Sequence, residues 1–377
     1  MKVGVVSEIP AIDEFIVKVA SRCNIDCDYC YEFNLGDDSW RRLPPFMTPE
    51  VAALVARRIA EHAVTHRLPV VSISFHGGEP LVLGATRLEE LIRIFSGTLE
   101  TDGIVCSFSI QTNGTLLTEK TLTVLKQHRV LVGLSLDGGR AHNDRHRKSK
   151  LGNTTFARSV EGVRRLIRVA PDLFAGVLAV IDINNDPVEV VDELYALGAR
   201  NVDLLLPHHN WSAPPPKSAC DGTDYADWYH RAWEHWTGGR WPGLNIRFLE
   251  NLVRRLVGHP GIYEQMSLSP ANLVTINTSG GLEQVDTLKS VGQGAQDTGL
   301  HLATHSFDDV LLTREYATRC FPMAALCRTC LECEVVDVCV GGYLPHRFES
   351  TTGFDNPSVY CGDLKKLIRT LEAAITK

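Results

Sequence analysis

Asp13-Glu14-Phe15-Ile16-Val17-Lys18-Val19-Ala20-Ser21-Arg22-Cys23-Asn24-Ile25-Asp26-Cys27-Asp28-Tyr29-Cys30-Tyr31 is the stretch that decides how this chain is read. Residues 13–20 have the apolar character of a buried strand. The polar segment behind them carries three cysteines at the spacing C-x3-C-x2-C. Thiols packed so closely suit a metal centre. A structural zinc ion usually takes four ligands, and no nearby His or Cys offers the fourth. Zinc would have to borrow a distant ligand such as His76. On an iron–sulfur cubane, three cysteines leave one iron without a protein ligand and open to a chelating substrate.

Working outward, strands and helices alternate. Thr48-Pro49-Glu50 opens a helix, with Thr48 as cap and Pro49 in the first turn. The segments 70–75, 104–111, 131–136, 173–181 and 202–207 read as further strands. Helices are expected at 86–96, from about Thr118, at 155–168 and at 187–197. Six such alternations predict parallel βα units, with functional residues at the C-terminal strand ends. Those ends carry His76-Gly77-Gly78-Glu79, Thr112-Asn113-Gly114, Asp137-Gly138 and His208-His209. After Pro207 the rhythm breaks into a proline-rich loop, 208–222. Helices at 224–236 and 248–257 and a short strand at 273–277 follow. Trp228, Trp233 and Trp236 on the first of these helices read as core packing or as a stacking surface for substrate.

The 377 residues suggest one large and one smaller domain, divided at 1–240 and 241–377. A hydrophobic content of 44% and a net charge of -7 describe an ordinary globular chain without the basic face of a nucleic-acid binder. No apolar run is long enough to span a membrane, and residues 1–15 lack a secretory signal, so a cytoplasmic protein is expected. Eleven cysteines without such a signal argue against disulfides. Three lie at 23–30, six lie between Cys320 and Cys361, and Cys106 and Cys220 stand alone, which predicts two metal regions.

The C-x3-C-x2-C motif after a first strand, with Tyr29 before the third cysteine, resembles the radical S-adenosylmethionine (SAM) superfamily. The resemblance implies a partial (β/α)6 TIM-like barrel in which Cys23, Cys27 and Cys30 hold a [4Fe-4S] cluster. SAM chelates the open iron, and a 5′-deoxyadenosyl radical removes a hydrogen atom from substrate. Gly77-Gly78-Glu79-Pro80 is similar to the family motif that meets the SAM amino group. Its glycines permit close backbone approach and Glu79 offers an anionic acceptor. Asn113 and Ser135 resemble SAM-contacting positions, with capped strand ends as the alternative, and Asp137 lies in the associated loop. His142, Asn143 and Arg147 fall in a segment like that of peptide-modifying members. Arg147 is a candidate partner for a SAM or substrate carboxylate, or part of an exposed basic loop.

Cys330-x2-Cys333-x5-Cys339-Val-Gly-Gly is similar to the SPASM domain of peptide-modifying radical SAM enzymes, whose seven cysteines hold two auxiliary [4Fe-4S] clusters. Here Tyr343 stands at one expected cysteine and Asp286 at another, in Gly281-Leu-Glu-Gln-Val-Asp286. The resemblance therefore implies one auxiliary [4Fe-4S] cluster, held by Cys330, Cys333, Cys339 and Cys361, with Cys320 and Cys327 spare. A zinc module is the alternative for this region.

Nearly the whole chain, including 204–216 and 341–364, resembles the FxsB-type radical SAM/SPASM maturases. The substrate this implies is a ribosomally synthesised precursor peptide. The reaction would be a C–C crosslink (cyclophane) between an aromatic ring carbon and the Cβ of a nearby residue. An external one-electron reductant such as flavodoxin or ferredoxin is implied, with no nucleic-acid or membrane partner. Rearomatisation releases a proton, and Glu283 and Asp286 are the candidate catalytic bases. His208 and His209 are expected at the barrel mouth. Thioether formation, side-chain oxidation in the manner of sulfatase maturases and a non-catalytic iron–sulfur scaffold are the competing readings.

Overall fold

The computed structural model describes residues 9–219, 222–262 and 264–376. The N-terminal residues 1–8 and Cys220 lie outside them. Its main sheet has ten strands, and its centre is six parallel strands in chain order. These are β1 (Glu14–Ala20), β3 (Val70–Gly77), β4 (Val105–Thr112), β5 (Leu131–Ser135), β7 (Phe174–Val180) and β8 (Asn201–Leu205). Between them run α1 (Pro49–His66), α2 (Ala85–Thr101), α3 (Glu119–Gln127), α4 (Arg140–His146), α5 (Phe156–Val169) and α6 (Pro187–Ala196). This is the strand order of a partial (β/α)6 barrel, as the alternation predicts. No strand pairing closes it among the described residues.

Local chemistry sets the helix starts. Thr48 accepts a hydrogen bond from Val51 N at 3.3 Å with Pro49 in the first turn. A cap of that kind contributes about 1 kcal/mol. Helix α1 buries Ala52, Val55, Ala56, Ile59 and Ala63 against the sheet. This apolar face follows the 3.6-residue period.

The break in rhythm after Pro207 does not end the sheet. On one side, β9 (Asn245–Ile246) pairs with β8. On the other, β10 (Leu273–Ile276) pairs parallel with β1, and β11 (Gly281–Glu283) and β12 (Asp297–His301) continue antiparallel. The sheet thus runs across residue 240. The sequence reading placed a strand at 273–277, which is β10, but missed β9, β11 and β12, each five residues or shorter. The last residues form α7 (Asp224–Thr237), α8 (Arg247–Leu256), the short α9 (Phe307–Leu311) to α12 (Val336–Cys339), and α13 (Cys361–Ile375). Trp228 and Trp233 are buried and join one core with Val202, Tyr360 and Leu364, so packing explains them. Among the described residues no helix is long and apolar enough to cross a membrane.

Candidate active site

A second, two-stranded sheet organises the first cysteine cluster. Strand β2 (Ile25–Cys27) pairs antiparallel with β6 (Arg147–Ser149), setting Cys27 opposite Arg147. Neither strand was legible, since each is three residues long. The Arg147 guanidinium donates to Tyr29 Oη at 2.6 Å, and Tyr29 donates to Asp137, whose other oxygen accepts from Val180 N at 3.1 Å. Arg147 and Asp137 are buried and Tyr29 is half-buried. Arg147 therefore fastens the cysteine loop to the ends of β5 and β7, and is not the exposed basic loop that the sequence left open. Asp144 accepts from Thr155 N and Phe156 N at 3.0 Å, starting α5, and Asn143 is fully buried beside it.

Cys23, Cys27 and Cys30 face one another closely enough that each ionised thiol would raise a neighbour's pKa. Burial is the larger effect. It pushes Cys23 up to about 12 and Cys27 up to about 11. Thiols held neutral in this way would ionise on binding a polycationic core, which suits an iron–sulfur group. His76, the distant ligand that zinc would borrow, lies 3.6 Å from Asp286 instead.

Gly77 and Gly78 bring β3 against the cysteine loop. A Cβ on Gly77 would stand 2.0 Å from Ala20 O, and one on Gly78 2.5 Å from Arg22 O. Gly78 N donates to Ala20 O at 2.9 Å and Glu79 N to Arg22 O at 3.0 Å. The Glu79 carboxylate is buried and accepts from Thr112 Oγ1 (2.7 Å), Asn113 N (2.7 Å) and Leu81 N (3.1 Å). Burial pushes its pKa up against these donors. Asn113 Nδ2 donates to Asn24 Oδ1 at 3.0 Å and lies 3.9 Å from Cys23 Sγ. Ser135 accepts from Gln111 at 2.8 Å. Glu79, Asn113 and the cysteine loop thus come together, with Ser135 one strand further along.

Glu283 and Asp286 are also brought to this loop, in a buried charge network that sequence did not anticipate. Lys18 Nζ meets Glu32, Glu283 (3.1 Å) and Asp286 (3.6 Å). Lys289 Nζ meets Glu32 at 2.8 Å and Glu283 at 3.7 Å. Burial opposes the Lys18 charge, but the carboxylates outweigh it and hold its pKa well above the usual lysine value. Burial likewise opposes ionisation of Asp286, and Lys18, His76 and Lys289 outweigh it. Asp286 also accepts from Tyr31 Oη at 3.1 Å. A signal was present in the sequence: Lys18 is a charge inside an otherwise apolar strand, and a buried charge requires a partner.

Tyr31 packs edge-on to His208, ring centroids 5.3 Å apart. His208 lines a cleft of about 260 Å³ at the ends of β7 and β8, with Tyr29, Leu35, Val180 and Pro207 on its walls. Burial pushes His208 down to about 4. His209 turns back to Ala213 O at 3.0 Å.

At the other end of the chain, Cys330, Cys333, Cys339 and Cys361 line one cavity of about 190 Å³. Burial pushes Cys330 and Cys339 up to about 12. Cys327 lies beside Cys330, whereas Cys320 points at Ala271 O, 3.6 Å away. Asp363 caps α7 by accepting from Tyr225 N at 3.0 Å and Ala226 N at 3.1 Å, which ties Cys361 to the barrel. Tyr343 and Asp286, at two of the missing cysteine positions, lie near one another, with Tyr343 Oη hydrogen-bonded to Thr287.

Residues 17–194 match the radical SAM superfamily profile. A serine-type anaerobic sulfatase-maturating enzyme of Klebsiella aerogenes is 29% identical over 188 residues, covering 48% of this chain and 43% of that enzyme. The likeness thus spans less than half of the relative. The solved structure of native anSMEcpe with bound AdoMet aligns with a TM-score of 0.80 at 20% identity, covering 96% of this chain and 98% of that one. Streptococcus suis SuiB bound to precursor peptide SuiA aligns with a TM-score of 0.61 at 15% identity, covering 93% and 76%. These structures share the fold. Residues 17–194, from the first parallel strand to the helix after the fifth, are thus similar to a radical SAM domain, and part of that stretch is similar to the anaerobic sulfatase-maturating enzymes.

Proposed function

We propose that the chain is a radical SAM enzyme that installs a C–C crosslink, a cyclophane, in a ribosomally synthesised precursor peptide. In this reading residues 1–240 carry the radical chemistry and 241–377 complete the site and hold one auxiliary [4Fe-4S] cluster. Cys23, Cys27 and Cys30 hold the SAM-binding [4Fe-4S] cluster. Bound there and reduced by an external donor such as flavodoxin or ferredoxin, cluster and SAM together supply a radical that removes a hydrogen atom from the peptide.

The observation that carries the reading is the buried carboxylate network beside the three-thiol loop, at a position where a second auxiliary cluster would otherwise need cysteines. The new C–C bond leaves an arene with one proton and one electron too many. Asp286 is the better placed of the two acids to take the proton. It reaches the half-buried Tyr31, which packs on cleft-lining His208. Glu283 sits between Lys18 and Lys289 and serves to hold them. Gly77, Gly78, Glu79, Asn113 and Ser135 shape the SAM side, and Arg147 holds the loop in register.

A second reading, oxidation of a peptide serine or cysteine, is favoured by the relationship to sulfatase-maturating enzymes. The two part under mass spectrometry of co-expressed precursor. Crosslinking removes two hydrogens, and fragmentation then joins an aromatic residue to a nearby Cβ. An aldehyde captured by a hydrazide probe would replace the crosslink reading with side-chain oxidation, and a thioether located by fragmentation would also overturn it. A reduced, reconstituted enzyme that forms no 5′-deoxyadenosine with its precursor would be a scaffold.

A further inference from the structure

Arg347 is 4% exposed. Its Nη2 donates to Ala325 O and to Phe354 O (3.0 Å), and its Nε to Asn356 O at 3.2 Å. These are neutral acceptors, and no carboxylate lies within ion-pair distance among the described residues. A buried cation without an anion is costly. Burial holds the Arg347 pKa below the ordinary value, and the groups near enough to oppose that and favour its charge are Cys330, Cys327, Asp355 and Cys339. Asp355 is exposed, so the buried partners are thiols.

The backbone beside Arg347 points the same way. Val340 has φ 49°, and Gly341 and Gly342 have φ 74° and 71°. Three successive residues in the left-handed region are unusual, and a β-branched residue there is strained. Gly342 N–H closes this turn onto Cys339 O at 2.9 Å, and the N–H groups of Gly341 and Gly342 lie near enough to the Cys339 thiol to favour its anion. Successive N–H groups in a turn can form an anion-binding nest, a feature of many iron–sulfur sites. A Cβ on Gly341 would stand 2.5 Å from Leu326 Cδ2 and 3.8 Å from Arg347 Nη1, so nest and guanidinium flank the same turn.

We propose that the Val340-Gly341-Gly342 nest and Arg347 form a positive collar around the auxiliary cluster, with Arg347 as its counter-ion, and that this collar raises the cluster's reduction potential. The inference rests on the crosslinking reading. Completion of the crosslink sends one electron from the arene radical adduct to the auxiliary cluster, which is reduced by one electron, and one proton to Asp286. A counter-charge beside the thiolates favours the reduced, more negative state. Arg347 thus acts through the cluster and not on substrate.

The test is a redox titration followed by electron paramagnetic resonance. It uses full-length protein carrying C23A, C27A and C30A, so that only the auxiliary signal remains. Arg347→Gln should shift the cluster's reduction equilibrium about tenfold toward the oxidised state, about 59 mV for one electron. Arg347→Lys should keep most of the parent value. Gly341→Ala, which must reorient the nest, should move it in the same direction by less. Parent potential in loaded Arg347→Gln overturns the proposal. Should that variant fail to retain about four irons, Gly341→Ala decides: a lowered potential supports the collar, and an unchanged one overturns it. No peptide is needed, so failure here leaves the crosslink reading standing, and failure to find a crosslink leaves the potential shift measurable.

Discussion

The two cysteine regions solve opposite problems. The first offers three thiols on a loop fastened by Arg147, Tyr29 and Asp137, near an open cleft. The second offers four thiols around one cavity, with a cation and a strained turn behind them. Three thiols leave a coordination position for chemistry. Four leave none and fit a centre that only exchanges electrons. On the proposed reading the difference accounts for the acids gathered at the first region and, among the described residues, for a buried arginine with no carboxylate in ion-pair distance at the second.

The sharpest way to break this comparison is to remove one side of it. Replacing Cys23, Cys27 and Cys30 by alanine together should abolish 5′-deoxyadenosine formation and lower iron from about eight to about four per chain. Twelve irons in the parent protein would mean a further cluster that this division excludes.

Next in size is the split between the two acids. Asp286→Asn should cut crosslink formation about 100-fold or more, the usual worth of a general base, while SAM cleavage continues. Glu283→Gln should cost less in turnover. If both slowed crosslinking equally, the network would act as a unit and the assignment to Asp286 would fail. Lys18→Met leaves Glu32, Glu283 and Asp286 to share Lys289, and should lose about 3–5 kcal/mol in chemical denaturation.

Gly77→Ala tests the packing beneath the first region. Its Cβ would collide with Ala20 O, and the glycine φ of 138° adds strain. The first cluster should load poorly while the auxiliary one stays, read as about half the iron. Equal loss from both would show that the regions are not independent.

The smallest effect concerns pH. His346 is buried beside His208 and Tyr360, and burial holds its pKa well below the ordinary value. The unfolded chain therefore binds more protons than the folded one once pH drops below the usual histidine value, near 6.5. Stability falls with pH there. His346→Gln should flatten that fall in thermal melts between pH 7 and 5, and an unchanged slope would rule out its contribution.

Much of the fold is legible in the amino-acid sequence. Long apolar strands such as 173–181 and capped helices such as the one after Thr48 declare themselves, because burial and capping constrain residue type locally. Nine of the eleven cysteines fell into two groups by position alone. What escaped was non-local. Cys27 faces Arg147 across a three-residue pairing, and β10 inserts beside β1 from more than 250 residues away. Lys18 was visible as an oddity, but its partners Glu32, Glu283, Asp286 and Lys289 come from separate segments that only the folded sheet edge unites. Arg347 gives no local signal, because only the folded chain shows that, among the described residues, it has no carboxylate within ion-pair distance.

The cap that Asp363 places on α7 has a kinetic consequence. It joins residues 138 and 137 positions apart, and it sits two residues beyond the thiol that closes the second cavity. Contacts this distant form late, because a long loop must close before they are rewarded. During synthesis, Cys330, Cys333 and Cys339 emerge well before Cys361 finds its seat. The four-thiol cavity is therefore completed only when the end of the chain docks on the barrel, and a ribosome-bound chain truncated before residue 361 would present a three-thiol site there as well.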